Sequence, residues 1–168
     1  MRLNAIFVVT SLALGPAALA APATAVFPME FVDTSGEPPN DALRDARLKL
    51  ATDMLVETLA KTGRFAPVDL APYAEEIAKM DRRYNCIGCF LPVAQKAGAT
   101  FAVVSVVHKV STLISSMDIA LFDVATGVFL ADLEGQIRGD TDEAYTHGVK
   151  FLIRNRLPDA IAGEDAAK

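Results

Sequence analysis

Residues 99–110, ATFAVVSVVHKV, are the stretch that most restricts how this chain can fold. The run is almost continuously apolar and rich in β-branched valine, with none of the alternation expected of a strand that has one wet face. Such a run reads as a central strand covered on both sides, and it is far too short to cross a bilayer as a helix. A strand of this kind needs helices packed on its sheet.

The flanking sequence supplies them. Over residues 41–62, Leu43, Leu48, Leu50, Ala51, Met54, Leu55 and Leu59 form one broad apolar side. Asp45, Lys49, Asp53, Glu57 and Lys61 recur at every fourth position on the other, a solvated face supported by i,i+4 pairs. Gly63 follows as a helix-terminating glycine. Shorter helices are predicted over 71–80 and 91–98, the second ended by Gly98, and a brief strand over 64–69. Residues 25–33 read as the first strand, with Pro28 implying an edge position or a bulge.

Beyond the central strand, residues 115–123 and 128–138 alternate. Phe129, Ala131, Leu133 and Ile137 are set against Asp132, Glu134, Gln136 and Arg138, as in half-buried antiparallel sheet. The link DVATG (123–127) ends in a glycine suited to a hairpin. The last helix, 140–157, opens with Asp140 as N-cap and Glu143 three residues on, and turns Ala144, His147, Gly148, Phe151 and Leu152 inward. The predicted order is β-α-β-α-α-β-β-β-α. It describes one α/β domain over 25–157, with a mixed sheet of about five strands, an antiparallel meander and helices packed on it. A flexible tail over 158–168 follows. Val103, Val104, Val106 and Val107 are expected at the centre, between the helices at 41–62 and 141–157.

The N-terminus carries a different signal. MRLNAIFVVTSLALGPAALA (1–20) has one positive charge, an apolar run from 5 to 14, and small residues at Ala18 and Ala20. This is the pattern of a secretory signal peptide, cleaved to leave a mature N-terminus between Ala21 and Thr24. The mature chain is expected in a bacterial periplasm, with no membrane span. The formal charge of −5 becomes −6 once Arg2 is removed, and no basic run exceeds Arg82-Arg83. That balance argues against nucleic acid as a partner.

Three motifs carry a resemblance: LVETLAKTGRFAPVD (55–69), QKAGATFAVVSVVHKVS (95–111), and 118–157 with its D-x-x-TG hairpin. Together they resemble a family of exported bacterial α/β domains that includes the N-terminal domain of the translocation protein TolB and the curli secretion protein CsgG. The resemblance implies a non-catalytic role in envelope assembly, as an interaction module with an envelope protein partner. It implies no catalytic residues.

The residues themselves point the same way. Nucleophilic hydrolysis needs a Ser or Cys with a histidine base, and the two histidines, His108 and His147, fall in separate elements outside any such motif. Both are expected to be partly buried, hydrogen-bonded residues. Asp142 and Glu143 open a helix, where its dipole favours them. Neither phosphate-binding glycine motif is present, so no nucleotide cofactor is expected.

Cys86 and Cys89 are the only cysteines, in CIGC. A zinc knuckle requires a second ligand pair, which is lacking, and position 90 is Phe where a c-type haem needs His. No metal is therefore expected. In an oxidising compartment the pair reads as a structural disulfide; an active thiol-disulfide centre is the alternative, since Cys89 stands just before a helix. A third functional reading is a small-ligand carrier with a pocket at the sheet's edge.

Overall fold

The computed structural model describes residues 20–80 and 82–157; the expected signal peptide and tail lie outside the described residues, save Ala20. Six strands form one mixed sheet: β1 (Ala23–Val26), β2 (Glu30–Asp33), β3 (Ala66–Pro67), β4 (Phe101–Lys109), β5 (Ile114–Asp123) and β6 (Phe129–Arg138). The sheet order is β3-β1-β4-β5-β6, with β2 also paired to β4. Strands β1, β2 and β3 run parallel to their neighbours, whereas β4, β5 and β6 form the antiparallel meander. The helices are α1 (Asp41–Lys61), α2 (Ala74–Ala78), α3 (Leu91–Lys96) and α4 (Asp142–Asn155).

The expected first strand is two strands, which raises the count from about five to six. Val26 pairs with Val103 and Glu30 with Val106, so residues 27–29 stand opposite only 104–105. Pro28 has no N–H to offer a ladder, and the chain bulges around it. β1 is nevertheless internal, held by β3 on one side and β4 on the other.

Helices α1 and α4 both lie on the first face of the sheet, over Val103, Val107, Met117, Ile119 and Leu133. The expectation that they flank β4 from opposite sides is therefore corrected. The second face takes α2 and α3, whose Ile77, Val93 and Ala94 pack with Phe90 on Ala102, Val104 and Ala120. Among the described residues no helix is long and apolar enough to cross a membrane.

Several side chains differ from the periodicity reading. Thr141, not Asp140, caps α4, its hydroxyl accepting the Ala144 amide. The inner side of α4 is Tyr145, Gly148, Val149, Leu152 and Ile153, while His147 and Phe151 are exposed. On α1, Leu43 and Leu50 face solvent and Arg47 is buried. Asp140 and Asp142 accept from Arg47, Lys109 binds Glu37 at 2.8 Å and Asp140 at 3.4 Å, and Arg47 lies over the Tyr145 ring. This network needs Asp140 more than the helix does, because it compensates a buried guanidinium. Phe129 leaves its expected side because the ladder slips at Leu121/Phe122, which sets it opposite Phe122.

Candidate functional site

The second face is covered by α2 and α3 towards one end and opens towards β6, where Asp132, Glu134, Gln136 and Arg138 are exposed, and this open part is the candidate site. Its boundary is the turn at Arg83–Asn85. The Glu30 carboxylate on β2 accepts the amides of Arg83 at 2.8 Å and Tyr84 at 2.7 Å, which anchors that turn to the sheet. Arg83 donates to the carbonyls of Ile77 and Pro28 and lies 3.5 Å from Glu30. Tyr84 then spans the sheet, its hydroxyl 3.4 Å from Asp132 on β6.

Beyond Tyr84 the strand register places two rows of side chains side by side. One row is Glu30, Val106, Asp118 and Glu134; the next is Val32, His108, Ser116 and Gln136. Asp118 and Glu134 are therefore directly opposed carboxylates, with Asp132 one step along β6 on the same face. Glu30 has Arg83 and two amides for company; Asp118 has a 3.4 Å contact from the Ser116 hydroxyl. Burial, with the Asp132 and Glu134 charges beside it, pushes the Asp118 carboxyl up to about 6. Burial likewise raises Asp132, and burial together with Asp132 raises the Tyr84 phenol far above its ordinary value. The result is a shelf of carboxylates, exposed at Asp132 and Glu134 and half-buried at Asp118, whose negative charge is incompletely matched.

At one end of the shelf the surface turns apolar. Ile87, at the tip of the cysteine loop, is fully exposed, and Val128 and Phe129 at the start of β6 are about half exposed. Phe129 packs edge-to-face on Phe122 and Phe122 on Phe90, and Phe90 is tilted against Phe27, at centroid distances of 5.4, 5.0 and 5.7 Å. Leu91 lies between the cysteine loop and the β5–β6 hairpin: a Cβ at Gly88 would come within 2.8 Å of its Cδ1, and one at Gly127 within 3.2 Å. Both glycines have φ near +75°, so neither turn tolerates a side chain without strain. Asp123 closes the hairpin by accepting both the amide and the hydroxyl of Thr126 at 2.7 Å.

Cys86 and Cys89 stand at disulfide distance, with Cα atoms 5.7 Å apart. The two histidines are not brought together. His108, on the second face, has Nε2 2.8 Å from the Thr34 hydroxyl, while His147 is exposed on α4, a helix of the first face. The Thr34 hydroxyl is also 3.3 Å from the Lys109 carbonyl, so this pair latches the loop after β2 onto the end of β4. Among the described residues no cluster of His, Cys, Asp and Glu has the geometry to hold a metal ion. The alternation of 128–138 exposed Asp132 and Glu134 to sequence reasoning. Asp118 escaped it, because only strand register sets it against β6, and Tyr84 escaped it, because it reaches β6 from a turn anchored to Glu30.

The family model described as "Protein of unknown function (DUF2380)" matches residues 22–157. The chain belongs to that family. No curated protein sequence matches it. Among solved structures, the fold is shared with the LpoB C-terminal domain of Salmonella enterica, at 17% identity and TM-score 0.51, over 73% of this chain and 86% of that one. PelC from Paraburkholderia phytofirmans, solved as a dodecamer, aligns at 15% identity and TM-score 0.52, over 83% and 89%. TolB from Acinetobacter baumannii aligns at 16% identity and TM-score 0.50 over 85% of this chain, which spans only 29% of TolB. At these identities the likeness establishes the fold.

Proposed function

We propose that this chain is an exported, non-catalytic accessory domain that binds a protein of the bacterial envelope through the open part of its second sheet face. The observation that carries the reading is the contrast on one sheet. The first face is closed by α1 and α4, while the open part of the second presents Asp118, Asp132 and Glu134 beside exposed Phe129. Surfaces that pair an apolar anchor with partly desolvated charge suit protein recognition. The TolB and LpoB fold likeness, and the sequence motifs resembling TolB and CsgG, support the same class of role. Export to the periplasm rests on the pattern of residues 1–20.

A photo-crosslinking residue placed at Gln136 or Glu134 tests it in cells. The reading expects one discrete crosslinked envelope protein from those positions and none from Lys49, on the outer side of α1. Equal crosslinking from both sides, or turnover by the purified protein that one point change abolishes, would sink it. A second reading, a small-ligand carrier, draws on an apolar cleft of about 410 Å³ lined by Val26, Pro28, Leu70, Ala74 and Ile77, with Arg83 at its rim. A ligand retained in native mass spectrometry, and lost in Ile77→Trp, would favour it.

A further inference from the structure

We propose that the outer edge of β6 accepts an extended segment of the partner as an added strand, and that this segment carries Lys or Arg at alternate positions and an apolar residue at one end. The proposal rests on the interaction reading above and names the chemistry of the partner.

β6 is ten residues long and, among the described residues, ends the sheet and pairs only with β5. Long strand edges are a hazard that proteins blunt with charged side chains, above all Lys, and with Pro, short length or bulges. The charges β6 uses for this are mainly carboxylates, which repel a like-charged edge and admit a cationic one. β6 contains neither Lys nor Pro, and its one irregularity is near its start, at Leu130, leaving residues 131–138 in regular register. Its exposed charges on the second face are Asp132, Glu134 and Arg138. An added strand places its own side chains at alternate positions, about 7 Å apart, on each face. Two cations two residues apart would therefore meet Asp132 and Glu134 and also draw on Asp118 behind them. Opposite charges across strands stabilise a pair, and like charges oppose it. The groups facing Asp118 are Asp132, Glu134 and His108, so the carboxylates dominate this surface. An apolar residue at the end of the segment would reach Phe129 and Val128, whose rings and methyls are otherwise half in water. Main-chain pairing would supply affinity, and the alternating cations and apolar end would supply the choice of partner. A second copy of this chain fits less well, since the mature domain is itself acidic.

The test uses the mature protein, a fluorescent decapeptide alternating Lys with Thr and ending in Leu, and the same peptide with alternate backbone amides methylated. The unmodified peptide should bind with an affinity that falls as salt rises, and it should protect β6 amides, not α1 amides, from hydrogen exchange. Asp132→Asn/Glu134→Gln, in which the amide oxygen at 132 can still accept from the Tyr84 hydroxyl, should weaken binding at least tenfold while leaving the melting temperature unchanged or raised. Lys49→Glu should leave binding unchanged. Absence of binding, binding indifferent to the two carboxylates, or equal binding of the methylated peptide would overturn the proposal. So would a concentration-dependent dimer in sedimentation that protects β6 by itself. If envelope crosslinks from Gln136 persist while the peptide fails, the strand-addition inference falls and the interaction reading stands. If the crosslinks also vanish, both fall.

Discussion

The two faces of the sheet are closed by different kinds of layer. On the first, helices of 21 and 14 residues lie across the sheet and bury Leu55, Leu59, Leu152 and Ile153. On the second, helices of five and six residues cover one end and leave Asp132, Glu134 and Gln136 of β6 to water. Helices that short do not hold themselves together in water. Their layer depends on cross-ties instead: Glu30 on the amides of the Arg83–Asn85 turn, the Tyr73 hydroxyl on the Lys96 carbonyl, Lys96 on Glu76, and the cysteine loop. The difference teaches a division of labour. One face supplies the cooperative core, and the other, held by local ties, is free to present a surface.

The sharpest way to break that comparison is to replace one residue on each side of β4 in turn. Val107 is fully buried against the first layer, whereas the next residue, His108, sits on the open part of the second face. Val107→Asp should abolish the cooperative melt, because an unpaired carboxylate would be buried at a cost of several kcal/mol. His108→Gln should cost about 1 kcal/mol at most, the value of its hydrogen bond to Thr34. Similar losses from both variants, read by thermal circular dichroism, would show that the two faces are equally part of the core.

A smaller effect tests what knits the first layer. Arg47 is buried between α1 and the start of α4, with Asp140 and Asp142 as its acceptors. Arg47→Met should destabilise the domain by about 3 kcal/mol, since Asp140 would then depend on Lys109 alone. Adding Asp140→Asn should recover part of the loss, which urea unfolding of the double variant would measure. Simple additivity would mean that the network contributes only through packing.

Arg47 also marks the limit of what could be read from the chain. Helical periodicity located α1, but it set Leu43 and Leu50 inward and gave no sign that Arg47 would be buried. Its partner Asp140 is 93 positions away in sequence, and the same Asp140 looked like a helix cap because the local pattern fits one. Local patterns were reliable where the cause is local, as at the Asp123–Thr126 hairpin and at Gly63, with φ near +70°. They failed where register decides. The slip at Leu121/Phe122 moved Phe129 to the other face, and the Asp118–Glu134 pairing needs two strands to be aligned before it can be seen.

The cysteine loop should matter less than either core feature. A ring closed by residues three apart constrains little of the unfolded chain, so Cys86→Ser/Cys89→Ser should cost about 2 kcal/mol at most. In a domain of this size that is several degrees of melting temperature. The loss should fall on the second layer, seen as faster amide exchange in α2 and α3 with α1 unchanged. A double variant that keeps its stability but loses partner binding would instead give the pair a chemical role.

The smallest effect concerns pH and the open part of the second face. Asp118 in the folded domain titrates at about 6, above the ordinary aspartate value of 3.8. An acid shifted upward on folding binds its proton more tightly in the folded state, so it favours folding most at low pH. That contribution is complete below the unfolded value and is lost as pH rises between about 4 and 6. Asp118→Asn removes the titration and the repulsion from Glu134 and Asp132 together. The variant should match the parent near pH 4 and exceed it by about 1 kcal/mol at pH 7, a figure reduced for the solvent that still reaches the shelf. Asp132, raised for the same reason, should leave a weaker slope of the same sign. Unfolding in urea at the two pH values decides the matter. A variant no more stable at neutral pH would mean that solvent already screens this shelf, and that the carboxylates there await no cation from a partner.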